Sequence, residues 1–204
     1  MGTTLIRGTS SKVKKGISDQ YDLKWAMKRD GFDEINSGAY GSVHKNPKNP
    51  DTVIKLFGRD HGYSSFVNFV KTTKAKSTIF PKFGSAKVYF DQDGDVIAHS
   101  IELERLEAVS WHRVGGYSAG EWEDTFKSYI RYGVPDYHGR EIEPLLSKKE
   151  VASLLDLHMH FHSPAPRLDG GRVRLNLDLH GANFMYRAST DSLVITDPFT
   201  GGRG

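Results

Sequence analysis

In residues 31–106 the order of apolar and polar positions is that of short strands separated by turns. Thr52 to Phe57 is a β-branched and aromatic run that suits a buried strand. Lys87 to Phe90 and Val96 to Leu106 flank Asp93-Gly94, a dipeptide typical of tight hairpin turns. This part of the chain is therefore predicted to be mostly β.

Apolar residues recur at helical spacing in four further segments. A short helix is predicted near Tyr21 to Lys28, and a second within residues 65–74. Ser118-x-x-Glu121 and Ser147-x-x-Glu150 are capping boxes, each followed by an apolar face that continues for several turns. Two longer helices are therefore predicted in the second half of the chain.

The segments predict an α+β protein with two lobes. Residues 31–106 form a β-rich N-terminal lobe, and residues 107–204 form a small helical lobe that ends in a hairpin, Phe184 to Tyr186 with Leu193 to Thr196. Residues 1–30 carry seven Lys or Arg against three acids, and their first half has no periodic apolar face. We expect them to form a mobile basic arm.

Composition narrows the class of protein. The chain has 204 residues, of which 37% are hydrophobic and 26% charged, so it can bury a core. No apolar run is long enough to span a membrane, the first seven residues lack the apolar stretch of a signal peptide, and there is no cysteine. A net charge of +3 gives little support for nucleic-acid binding. We expect a cytoplasmic protein that acts on neither membranes nor nucleic acids.

Two features of the N-terminal lobe suit phosphate binding. The turn Gly38-Ala39-Tyr40-Gly41 lies between two predicted strands, and its backbone N–H groups can approach phosphate oxygens. Lys55 ends the buried run Val53-Ile54, where a lysine is costly unless its charge is paired. Each also has an ordinary interpretation, a common glycine turn and a lysine that snorkels from a strand edge.

A third feature lies near the C-terminus. Asp178 and Asn183 are five residues apart in one loop, and Asp197 follows the strand that pairs back over Asn183. Carboxylate and amide oxygens suit Mg²⁺, and a carboxylate that does not bind the metal can accept a proton from a hydroxyl. Caps and turns are the alternative role for such residues.

Four histidines lie in the last long predicted helix and in the loop that contains Asp178. His158 and His162 share a helix face whereas His160 points away, so threefold metal ligation is geometrically poor and packing or capping is expected. His180 lies within the loop that contains Asp178, where we expect it to hold the loop by hydrogen bonds.

The three features together resemble the protein-kinase-like fold, which combines a glycine-rich loop, a strand lysine, a D-x-x-x-x-N loop and a metal-binding Asp. The loop L-D-L-H-G-A-N-F-M is similar to that of aminoglycoside phosphotransferases. The stretches G-F-D-E-I-N-S-G-A-Y, P-D-T-V-I-K-L-F-G and H-G-A-N-F-M with the later I-T-D-P resemble the early serine/threonine protein kinases of short-tailed (autographivirus-type) bacteriophages. The resemblance extends from about Gly31 to Pro198.

The resemblance implies an ATP- and Mg²⁺-dependent phosphotransferase. Lys55 would hold the ATP phosphates beneath the glycine loop and Val43, and Glu104 to Leu106 would form the adenine hinge. Asp178 would orient or deprotonate the acceptor hydroxyl, while Asn183 and Asp197 would hold Mg²⁺. The phage resemblance further implies host proteins as substrates in the bacterial cytoplasm.

The sequence departs from the kinase pattern at three points. H-R-D is replaced by Asn176-Leu177-Asp178, and D-F-G by Asp197-Pro198-Phe199. No acidic residue lies between His61 and Phe90, so the helix expected to supply a Glu partner for Lys55 has none. Together with a chain that ends seven residues after Asp197, this motivates one alternative to a protein kinase, a pseudokinase or inhibitory protein that binds a host factor. A second alternative, a small-molecule kinase, is motivated by the phosphotransferase-like loop from Leu177 to Asn183. The chain is either a minimal kinase or part of a longer protein.

Overall fold

A computed structural model describes residues 9–13, 16–58, 60–73, 77–135, 142–163, 165–166 and 172–201. These residues form two compact units, and each unit is described separately. The N unit consists of Ile6–Asp60 and Lys82–Arg105, and the C unit includes His61–Pro81 and Leu106–Gly204. Within the described residues, no helix has both the length and the apolar character needed to cross a membrane.

The N unit is built on a six-stranded sheet with the strand order β1-β5-β6-β4-β3-β2. Its strands are β1 (Thr9–Lys12), β2 (Glu34–Ser37), β3 (Gly41–Lys45), β4 (Thr52–Phe57), β5 (Phe83–Phe90) and β6 (Val96–Glu104). β1 runs parallel to β5, and every other pair is antiparallel. Part of the predicted basic arm is therefore a strand, because Thr9–Lys12 pairs along its length with β5.

One helix, α1 (Gln20–Arg29), covers one face of this sheet. Leu23 and Met27 lie on one side of the helix and are buried against Leu56 and Ala98 of the sheet. The N-cap Asp19 accepts a hydrogen bond from the backbone of Asp22, which satisfies one of the unpaired N–H groups at the helix start. The predicted helix is confirmed, with one more residue at each end.

The C unit contains three helices, α2 (His61–Thr72), α3 (Ala119–Tyr132) and α4 (Lys148–His162). Ser118 and Ser147 form both predicted capping boxes. α2 begins four residues before the predicted start. It packs in the C unit against β13 (Phe199–Gly201), although the sequence places it in the N-terminal lobe.

Short strands complete the C unit. They are β7 (Glu107–Ala108), β8 (Ala165–Pro166), β9 (Arg172–Val173), β10 (Leu175–Leu177), β11 (Phe184–Arg187) and β12 (Ser192–Ile195). β11 and β12 form the predicted final hairpin, and β10 pairs with β13. Stacked rings of Trp122, Phe126 and Phe184 join α3 to this hairpin, so Trp122 and Phe126 are core residues.

The mixed α+β class is confirmed, with a sheet in the N unit and longer helices in the C unit. Thr52–Phe57 is a strand with the predicted bounds, and β5 starts four residues earlier than predicted. Most of the segment between Pro135 and Pro144 lies outside the described residues.

Candidate active site

The glycine turn joins β2 to β3 in the N unit. The backbone N–H of Gly38 donates to the carbonyl of Gly41 at 2.9 Å, which closes the turn, and Tyr40 at its tip is 61% exposed. A Cβ on Gly41 would lie 2.5 Å from the Leu56 carbonyl oxygen and 3.1 Å from the Phe57 Cβ. Glycine is thus required at Gly41 because the backbone of β4 lies against it.

Lys55 lies in the middle of β4. It is paired with Val43 of β3 on one side and with Ile101 of β6 on the other. Residues directly opposite on antiparallel strands point to the same face, so these three side chains share a face. α1 packs on Leu56 and therefore covers the opposite face. Val43 and Lys55 are half-buried, on the face that α1 does not cover.

The predicted hinge, Glu104 to Leu106, spans the point where the chain passes from the N unit to the C unit. The Glu104 carboxylate accepts a hydrogen bond from the Lys82 backbone N–H at 2.8 Å, so its side chain anchors the start of β5. The backbone N–H groups of Glu104 and Arg105 donate to the carbonyls of Lys82 and Asp51, at 3.1 and 2.8 Å.

The C unit brings Asp178, Asn183 and the residues next to Asp197 into one hydrogen-bonded network. The antiparallel pairing of β10 and β13 places the Asp178 backbone N–H 2.8 Å from the carbonyl of Pro198, the residue after Asp197. The Asn183 side-chain amide donates to the Asp178 carbonyl at 2.5 Å. Thr196, just before Asp197, donates from its backbone N–H and Oγ1 to the Asn183 carbonyl, at 2.9 and 3.0 Å.

The network leaves side-chain oxygen atoms that fit Mg²⁺ as ligands. Since the Asn183 amide nitrogen is used by Asp178, its Oδ1 is the atom that remains for a cation. Asp197 carries a carboxylate in the short link between β12 and β13, and the side chains of Asp178, Asn183 and Asp197 are all half-buried. Mg²⁺ is commonly held by one or two such oxygens together with phosphate and water.

Helix α3 supports the loop between Asp178 and Asn183. A Cβ on Gly181 would lie 3.3 Å from the Ala119 Cβ and 3.5 Å from a Glu123 carboxylate oxygen, so the loop passes close to the first turns of α3. Leu179 is 2% exposed and attaches the loop to the core. His180, expected to hold the loop, has an exposed side chain.

The first turn of α2 contacts the chain just after Asp197. A Cβ on Gly62 would lie 2.4 Å from the Phe199 carbonyl oxygen and 2.6 Å from the Thr200 Cα. Phe66, one turn later, packs edge-on against the Phe199 ring at 6.3 Å. α2 carries no acidic residue, as the sequence indicates, and instead supports the strand that follows the metal-binding candidate. The sequence alone does not single out Gly62, because a glycine near the start of a helix is a common feature.

His160 belongs to the same support. Its Nε2 lies 2.8 Å from the Ser65 hydroxyl, and its ring lies 4.9 Å from Phe69 and 6.2 Å from Phe199. Burial lowers the pKa of His160, partly opposed by the hydrogen bond to Ser65. The packing role expected for the histidine string is thus seen at His160.

No protein-family model matches the chain, and no curated protein sequence matches it. Among solved structures, APH(2'')-IIa in its ternary complex with streptomycin and ATP is 12% identical, with 91% of this chain and 73% of that chain covered and a TM-score of 0.35. The ADP-bound aminoglycoside phosphotransferase APH(2'')-Ib is 12% identical, with 88% and 71% covered and a TM-score of 0.37. The gentamicin complex of APH(2'')-IIa is 13% identical, with 91% and 72% covered and a TM-score of 0.35. With TM-scores of 0.35–0.37, we infer nothing about this chain from them, and the functional proposal rests on its own residues.

Proposed function

We propose that this chain is a protein-kinase-like phosphotransferase that uses ATP and Mg²⁺. The observation that carries the proposal is the network in the C unit, which holds the candidate base Asp178 beside Asn183 and the backbone that bears Asp197. Phosphoryl transfer needs little covalent chemistry from a protein, so positioned oxygen ligands and a base are its central requirements.

Each residue has a separate proposed role. Asp178 orients the acceptor hydroxyl and takes its proton, and Asn183 Oδ1 and the Asp197 carboxylate hold Mg²⁺. When bound, Mg²⁺ neutralises the charge on the ATP phosphates. Lys55 binds the α- and β-phosphates, while the turn from Gly38 to Gly41 supplies backbone N–H groups. Val43 lines the nucleotide site, and the chain from Glu104 to Leu106 binds adenine.

Two classes of acceptor are proposed. The similarity of three sequence stretches to phage kinases supports Ser or Thr of host proteins. The loop from Leu177 to Asn183 resembles that of aminoglycoside phosphotransferases and supports a small-molecule hydroxyl. The three solved structures named above are aminoglycoside phosphotransferases and none is a protein kinase, so the comparisons give the phage protein-kinase interpretation no support.

The test is Mg²⁺-dependent transfer of labelled phosphate by the purified chain to bacterial lysate proteins and, separately, to a panel of aminoglycosides. We expect transfer to one of the two panels, and loss of at least 100-fold in Asp178→Asn and Asp197→Asn. Asp124→Asn is the matched control, since Asp124 is exposed on α3 and outside the network. A wild-type chain as inactive as both variants on both panels would refute phosphotransfer and favour a pseudokinase that binds a host factor.

A further inference from the structure

A pair of histidines lies at the end of α4 and takes no part in the hydrogen-bond network of Asp178 and Asn183. His158 and His162 are one helical turn apart, with ring centres 4.7 Å apart and ring planes at 68°. His158 is half-buried and His162 is exposed, so solvent and ions can reach the pair. His160, between them in sequence, points to Ser65 instead.

The hydrogen bonds of the two rings identify which nitrogens carry a proton. His158 Nδ1 lies 3.0 Å from the Ile130 carbonyl oxygen, and His162 Nε2 lies 2.8 Å from the Arg131 carbonyl oxygen. A carbonyl only accepts, so Nδ1 of His158 and Nε2 of His162 must both be the donors. In the neutral rings, His158 Nε2 and His162 Nδ1 therefore keep their lone pairs.

The outer hydrogen bonds of the two rings are those that metal-binding histidines commonly make. A histidine that binds a metal through one nitrogen commonly donates its other N–H to a backbone carbonyl or carboxylate, which fixes the tautomer and the ring orientation. Both rings already make that outer contact, with successive carbonyls at the C-terminal end of α3. Those carbonyls otherwise have no partner within the helix, so the two rings also cap α3.

The separation of the rings also fits a shared ion. With a metal–nitrogen bond of about 2.0–2.1 Å, an ion lies roughly 3.2 Å from each ring centre, and two rings bound at about 90–110° have centres about 4.5–5.2 Å apart. The observed 4.7 Å lies within that range. No group of three or more His, Cys, Asp or Glu is placed for metal binding in the described part of the chain, so water must complete the coordination.

We propose that His158 and His162 form a two-histidine site for a late transition-metal ion, Cu²⁺ most strongly and Ni²⁺ and Zn²⁺ more weakly. Imidazole suits all three ions, and Cu²⁺ stands highest among them in the usual order of affinity. Both ligands belong to α4, and the carbonyls that orient them belong to α3. A bound ion therefore stabilises the junction of the two helices.

The experiment is a CuCl₂ titration of the whole chain in excess Mg²⁺. Calorimetry measures the affinity and the number of ions bound, and electron paramagnetic resonance measures the number of nitrogen ligands. We expect one Cu²⁺ with two nitrogen ligands. His158→Asn and His162→Gln are the informative variants, because each keeps an N–H near the position of the original donor while it removes the free ring nitrogen. Each should weaken binding at least tenfold without loss of the fold.

His112→Gln is the matched control, since His112 is an exposed histidine outside the pair, and its Cu²⁺ affinity should equal that of the wild type. ZnCl₂ should raise the melting temperature of the wild type but not of the double variant that combines His158→Asn with His162→Gln. If the double variant binds Cu²⁺ as tightly as the wild type, or the wild type shows fewer than two nitrogen ligands, the site is disproved. Neither measurement depends on phosphotransferase activity.

Discussion

Gly62 gives the sharpest test of how α2 supports the candidate site. Glycine at the second position of a helix is normally a weakness, and replacing an interior helical glycine with alanine gains about 0.5–1 kcal/mol. At Gly62 the added Cβ would lie 2.4 Å from the Phe199 carbonyl oxygen, against the 3.4–4 Å of an ordinary contact. The two effects on the free energy of unfolding therefore have opposite signs.

The steric effect is the larger one. The atoms that the new Cβ would meet are backbone atoms of Phe199 and Thr200, so no flexible side chain can move aside. α2 or β13 would have to shift by about 1 Å, and overpacking of this kind costs about 1–3 kcal/mol. We therefore expect Gly62→Ala to lower the free energy of unfolding by about 1–2 kcal/mol, despite its better helix propensity.

The assay is urea unfolding of the wild type, Gly62→Ala and Gly120→Ala. Gly120 is the second residue of α3, as Gly62 is of α2, and the nearest atom to a Cβ there is 3.9 Å away. Gly120→Ala should leave stability unchanged or raise it slightly. If Gly62→Ala is as stable as the wild type, that result would contradict the close packing of α2 against β13 at Gly62.

Two further predictions concern the same unit. Thr196→Val removes the Oγ1 hydrogen bond to Asn183, and such a bond is worth about 0.5–1.5 kcal/mol. We expect it to raise the half-saturating Mg²⁺ concentration of phosphotransfer by roughly 2–10-fold, while Thr196→Ser stays near the wild-type value; equal values for both would exclude a role for the hydroxyl. Burial lowers the pKa of His160, so the unfolded chain takes up a proton first as the pH falls. The contribution of His160 to the free energy of unfolding should therefore be fully present above its unfolded pKa of about 6.5 and be lost as the pH falls below it. His160→Gln should reduce this pH dependence, measured by unfolding curves at pH 5–7.5.

Local patterns predicted the elements whose cause is local. The capping boxes at Ser118 and Ser147 and the strand from Thr52 to Phe57 are confirmed, since each depends on residues within one or two turns. The strand Thr9–Lys12 was missed because it has no apolar alternation of its own. It is defined by its pairing with β5, which lies far away in sequence.

The candidate site divides in the same way. The order of Asp178, Asn183 and Asp197 in the sequence predicts that they come together in one loop and hairpin. The C-unit network joins Asp178 and Asn183 to Thr196 and Pro198, the two neighbours of Asp197. The support by Thr196 and Gly62 was not predictable, because a threonine before an aspartate and a glycine near a helix start have many ordinary roles. Their importance depends on which carbonyl lies opposite, which only the tertiary structure determines.

The first strand of the sheet is completed by a partner that is synthesised much later. Thr9 pairs with Lys87 and Lys12 with Phe90, so β1 emerges from the ribosome long before β5 exists. Closing so long a loop costs chain entropy, and such non-local pairings form more slowly than hairpins. A fusion partner joined to the N-terminus would therefore act on a slow step of folding, whereas α1 and the hairpin of β2 and β3 can form from neighbouring residues alone.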